Sequence, residues 1–188
     1  MTRFSDESLL IAQNWDTVVD IMRASEHMTA ELSSFLLSFE TDLRELEWWD
    51  QGWVFQPYRL SQVYVTAKRW LSNGKDVIWI GIQEFDAEHI FGSQGRPPSL
   101  YVWVRQAHQG LVPLLVDEMG KSGCKIKASG LYLTWQDVPK FLPEIAGDYL
   151  DMVREQFLEF ADRYAQLLMQ FEGAISHYLN SRTTTEAD

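Results

Sequence analysis

Residues 62–85 read QVYVTAKRWLSNGKDVIWIGIQEF. Two runs in this stretch, 62–71 and 76–85, alternate apolar and polar positions and are rich in Val, Ile, Tyr and Trp, the pattern of half-buried strands. Between them lies Ser72-Asn73-Gly74-Lys75. Asn-Gly tolerates the positive φ of a type I′ turn, so the stretch predicts a two-residue β-hairpin. The turn dictates the pairing: Ser72 opposite Lys75, Leu71 opposite Asp76, then Lys68 opposite Trp79, Ala67 opposite Ile80 and Val65 opposite Ile82. Side chains alternate across a strand, so this register separates two faces. One holds Val63, Val65, Ala67, Ile78, Ile80 and Ile82; the other holds Tyr64, Thr66, Lys68, Trp70, Trp79, Gln83 and Phe85.

The same sorting extends along the chain. A third strand is expected over 100–105, with Leu100, Val102 and Val104 on the aliphatic side and Tyr101, Trp103 and Arg105 on the aromatic side. A fourth lies within 125–135, where Leu131 and Leu133 alternate with Tyr132 and Thr134. A helix is expected between them over 108–121, with Pro113 tolerable in its first turn. Helical spacing of apolar residues predicts helices over 5–24 and 29–47, joined near His27 as a hairpin, and a long helix from 144 to about 180. Residues 48–58, WWDQGWVFQPY, contain Gly52 and Pro57 and read as a loop carrying Trp48, Trp49 and Trp53. The expected architecture is α+β: a four-stranded, largely antiparallel meander, packed on one face by an N-terminal helical hairpin and a long C-terminal helix. One domain spans 1–182, and residues 183–188 form a frayed tail.

Composition bounds the function. The chain has 188 residues, 46% of them hydrophobic and 13% aromatic, with eight Trp and a net charge of −11. That charge argues against bulk capture of duplex DNA or of an anionic membrane. It is unevenly spread: residues 1–60 are net −7 and 136–188 net −6, whereas 61–135, with 8 basic and 6 acidic side chains, are net +2. No apolar run approaches the roughly 20 residues of a membrane span. The N-terminus lacks the pattern of a secretory signal peptide. The lone cysteine, Cys124, excludes an intrachain disulfide and reads as a free structural thiol. A cytoplasmic location is the expectation.

Three features could carry function. The first is the aromatic face, with Tyr64, Trp70, Trp79, Tyr101, Trp103 and Tyr132 interleaved with Lys68, Gln83 and Arg105. Rings beside amphipathic side chains suit a flat ligand, single-stranded nucleic acid or a protein partner. The same pattern also describes a plain solvated face or a second core beneath a helix. The second is the Trp48, Trp49 and Trp53 loop, which is an interface if exposed and a plug for the sheet if folded back. The third is Glu84, Asp86, Glu88 and His89, oxygen and imidazole ligands that could gather on a hard divalent cation at a strand end.

No GxSxG, Walker, GxGxxG or HExxH motif is present. The expectation is a non-enzymatic binding or regulatory module without a cofactor, using the aromatic face or the Trp loop. Its partner would be a protein or a small aromatic or apolar ligand, and a homodimer through the C-terminal helix is conceivable. The alternatives are a metal-dependent hydrolase or nuclease-like enzyme at the acidic strand end, and a small-molecule or single-strand binder on the aromatic face.

Overall fold

The structure is a computed structural model that describes residues 5–185, apart from 51, 93–95, 122, 124–125, 127, 143 and 145. Cys124 therefore lies outside the described residues. The architecture is α+β. The main sheet runs β1 (Trp53–Arg59), β2 (Gln62–Ala67), β5 (Ile78–Gln83), β6 (Ser99–Val104) and β7 (Tyr132–Asp137), neighbours in that order and all antiparallel. It is the expected meander with five strands instead of four. Two short strands, β3 (Leu71–Ser72) and β4 (Lys75–Asp76), form the tip of the central hairpin as a separate pair.

The extra strand is β1, in a stretch where Gly52 and Pro57 predict a loop. Proline cannot donate to a ladder, but an edge strand leaves one side unpaired, and β1 is an edge. Trp53 and Phe55 thereby enter the core beside Ala67 and Val65.

The turn itself is as expected: Asn73 and Gly74 have φ of 51° and 71°, and Leu71 faces Asp76. Further out the register differs. Lys68–Trp70 leave the ladder as a single 3₁₀ turn, so Val65 pairs with Ile80 and Val63 with Ile82. The turn drives Trp70 into the core, where it is fully buried and meets Trp53 edge-on at 5.2 Å. Burial of that indole is the physical reason for the insertion. The displacement is two residues, an even number, so each β2 side chain keeps its face.

Four helices cover the aliphatic face: α2 (Trp15–Arg44), α4 (Leu111–Lys121), α5 (Tyr149–Gln170) and α6 (Glu172–Thr185). Phe39 of α2 stacks on Phe157 of α5 at 4.7 Å over the buried Ile78, Ile80, Ile82 and Val102. Arg154 ties α5 to α2 through Asp42 and Ser38, at 3.0 Å each.

The helical expectations need three corrections. No hairpin forms near His27; α2 runs straight through it, and the chain breaks at Asn14, after α1 (Asp6–Gln13). The polar stretch around His27 carries no helix breaker, so propensity favours continuation. The C-terminal helix begins at Tyr149 and breaks at Phe171. Its apolar stripe, from Val153 to Leu168, is buried within the chain. α6 runs on to Thr185, and the rest of the expected tail lies outside the described residues. Among the described residues no helix is long and apolar enough to cross a membrane.

Candidate functional site

Opposite the helices, the second face of the sheet is uncovered among the described residues. Its centre is built by register. Trp79 of β5 faces Trp103 of β6, which faces Tyr132 of β7. The two indoles lie 6.2 Å apart at 27°, near parallel, and Tyr132 stands edge-on to Trp103 at 4.5 Å. Tyr64 of β2 leans on Trp79 at 5.5 Å, and the Arg105 guanidinium lies 5.5 Å from the Trp79 centroid. All five side chains are half-buried, the state of rings that support one another and still show a face to solvent.

The hollow beside them exists because of a glycine. Gly81 sits between Tyr64 on β2 and Tyr101 on β6. With no side chain to displace it, Tyr101 lies down over Gly81 and is 1% exposed. Gln62 donates to the Tyr101 hydroxyl at 2.6 Å, and the Gln83 amide donates to Ser99 Oγ at 3.2 Å and to the Tyr132 hydroxyl at 3.1 Å. The result is a cleft of about 300 Å³, with Tyr101 as floor and Tyr58, Tyr64, Trp79, Trp103 and Tyr132 around it. That volume lies at the small end of ligand sites. A wider hollow of about 530 Å³ continues past the Gln83–Tyr132 pair, among Glu84, Arg96, Trp135 and Asp137.

Electrostatically the cleft floor is neutral. Burial pushes the Tyr101 phenol well above its ordinary value, partly offset by the bond from Gln62. Burial also pushes Tyr64 up to about 12, reinforced by Asp76, whose carboxylate accepts from its hydroxyl at 3.2 Å. Both phenols remain donors through neutral pH.

Several expected site residues lie elsewhere. Trp70 is core. Lys68 sits in the 3₁₀ turn near Trp49 and Trp53, away from Trp79. Tyr101 is a floor without an open ring face. Phe85 is fully buried against Phe35 because Glu84, at φ 59°, kinks the strand and turns the next side chain to the core. In the Trp loop, Trp48 and Trp53 pack edge-on at 4.6 Å in the core, and Trp49 is half-buried beneath Arg44. The loop is a plug and offers no exposed tryptophan cluster.

Trp135, Tyr58 and Gln62 were missed. Tyr58 lies on the misread β1. Trp135 was lost because the β6–β7 pairing slips at Val102/Trp103: Thr134 pairs with Val102 and Tyr132 with Trp103, which puts Leu133 in the core and Trp135 opposite Tyr101. The bulge turns both Leu133 and Thr134 inward, so strict alternation along the strand assigns Trp135 to the wrong face.

At the acidic strand end, Asp86 caps α3 (Ala87–Phe91), accepting from the His89 backbone N–H at 3.1 Å and approaching His89 Nδ1 at 2.7 Å. Among the described residues no three His, Cys, Asp or Glu side chains converge as a metal would require. The Asp86 hydrogen bond, opposed by partial desolvation and helped by the charges of Asp86, Glu84 and Glu88, holds the His89 pKa above its ordinary 6.5. A raised pKa means the pair contributes stability below pH 6.5 and loses it as pH climbs through the shifted value. Asp86→Ala should return His89 to its ordinary titration, followed by the ring proton resonances. Identical curves for the two proteins would refute the pairing.

Compared with protein-family models, with curated proteins and with solved structures, the chain finds no match, so its site is read from its own geometry.

Proposed function

We propose that the protein is a non-enzymatic binding or regulatory module that takes up a planar ring on the open aromatic face of its sheet. One observation carries this reading. Tyr64, Trp79, Trp103, Tyr132 and Trp135 share a face that no helix covers among the described residues; the first four line a concave cleft and Trp135 lines the hollow beside it. Rings held by cross-strand packing stack a flat ligand with little ordering cost, because they are already placed. The metal-dependent hydrolase reading draws less support, since Asp86 is engaged as a helix cap. Tryptophan fluorescence against a panel of nucleosides, nucleotides and short single-stranded oligonucleotides tests the proposal. It expects a saturable change that Trp79→Ala removes. A flat response, the same in Trp79→Ala, would count against it.

A second reading, protein binding, rests on a different surface. Leu10, Ile11, Trp15, Ile21 and Met22 on α1 and α2 are between 47% and 63% exposed. Trp15, Val18 and Met22, all on α2, follow the 3-4 spacing of a helical seam. A second copy of the chain is the simplest partner for it. Sedimentation equilibrium should show a dimer that Trp15→Glu splits; a monomer at every concentration would contradict it.

A further inference from the structure

The aromatic cleft does not end at Trp79. Arg105 forms its boundary there and is also a wall of a neighbouring hollow of about 340 Å³ at the hairpin tip. That hollow is cationic: Lys75, Arg105 and Arg182 line it, with the Ser72 and Asn73 side chains between them. Three positive charges around one hollow are unexpected in a chain of net charge −11. Among the described residues no Asp or Glu lines it. The carboxylate of Asp76, beside Arg105, accepts a hydrogen bond from Tyr64, and the Asp76 backbone carbonyl accepts one from Arg105 Nε. The hollow at the other end of the face differs, because there, among the described residues, Glu84 and Asp137 outweigh Arg96. An anionic group is therefore favoured at one end only.

Arg105 couples the two hollows. Its Nε is anchored to the Asp76 carbonyl and its plane lies by the Trp79 ring, so the guanidinium is held rather than free to sweep. Arg182 is similarly placed by bonds to the Ala107 carbonyl and the Tyr178 hydroxyl. Held guanidiniums beside a hydroxyl and an amide suit an anion with several oxygens and more than one charge.

Resting on the aromatic-face reading above, we propose that the cleft and the basic hollow are two halves of one site, which takes an aromatic phosphate monoester. The ring stacks on Trp79 and Trp103, and the phosphate sits against Arg105, Lys75 and Arg182. Mononucleotides carry the same two groups, an aromatic ring and a phosphate monoester, joined through ribose.

Calorimetric titration of the full chain with 1-naphthyl phosphate, 1-naphthol and inorganic phosphate tests it. The aryl phosphate should bind at least about tenfold tighter than the naphthol, the effect of one charge-assisted contact. Arg105→Met should erase that margin, and added salt should weaken the phosphate arm alone. Should Arg105→Met fail to fold, the double variant Lys75→Ala/Arg182→Ala, at two exposed side chains, should shrink the same margin. Equal affinity for naphthol and naphthyl phosphate would overturn this inference and leave the aromatic-face reading standing. Inorganic phosphate binding as tightly as the aryl phosphate would also overturn it. Binding of none of the three would defeat both readings.

Discussion

Replacing Phe157 with alanine is expected to destabilise the fold by about 3–5 kcal/mol. Phe157 is fully buried and lies between two layers. Its ring stacks on Phe39 of α2 at 4.7 Å and 25°, and its helix, α5, rests on β5 and β6. Removing it deletes the transfer energy of a phenyl ring and leaves a cavity that two rigid layers cannot close, because α5 is pinned to α2 by Arg154. A domain of this size has a total stability of about 5–15 kcal/mol, so the variant should lose a large share of it. Urea unfolding at 25 °C gives the number. As a control, Trp135→Ala, at a 46% exposed ring on the open face, should change stability by no more than about 0.5 kcal/mol. A loss below about 1 kcal/mol at Phe157 would mean that the helices do not pack on the aliphatic face as described.

Gly81→Ala is the second large effect, expected at about 1–3 kcal/mol from overpacking. An added methyl would stand 2.6 Å from the Val63 carbonyl oxygen and 2.9 Å from both the Tyr101 hydroxyl and Tyr64 Cβ. The Val63 carbonyl is backbone within the sheet and has no room to retreat. Tyr101 can move, and it should lift off its floor into the cleft. That movement exposes the phenol, so its pKa should fall toward the ordinary value of 10. Absorbance titration at alkaline pH would detect it. A Gly81→Ala protein as stable as the parent, with Tyr101 still resistant to ionisation, would contradict the account of the cleft floor.

The parts of the fold legible in the sequence share one property: they depend on local chemistry. Asn73-Gly74 determined the turn, and the turn determined which residues share a face. The facial sorting survived a register error because the 3₁₀ turn at Lys68–Trp70 consumed two residues, and an even slip preserves parity. The misplaced residues depended on tertiary packing. Trp70 left its expected face because a buried pocket beside Trp53 was available to it. Phe85 crossed to the core through a left-handed Glu84, a conformation no rule assigns to glutamate from sequence alone. Pro57 was read as a breaker because nothing local says which strand will be an edge. Most of the candidate site was legible as a pattern of rings: Tyr64, Trp79, Trp103 and Tyr132 are where alternation placed them. Its shape was not, because the cleft depends on Tyr101 folding over Gly81, a contact between strands 20 residues apart.

On the proposed reading, ligand occupies the open aromatic face and not the tryptophan-rich core or the N-terminal helices. The eight tryptophans make this directly readable, because each indole N–H gives its own resonance in a ¹⁵N-labelled sample. On titration with 1-naphthyl phosphate, the Trp79 and Trp103 resonances should shift together and saturate, while those of the buried Trp48, Trp53 and Trp70 hold still. Shifts confined to Trp15 or to the core tryptophans, with Trp79 and Trp103 unmoved, would contradict it.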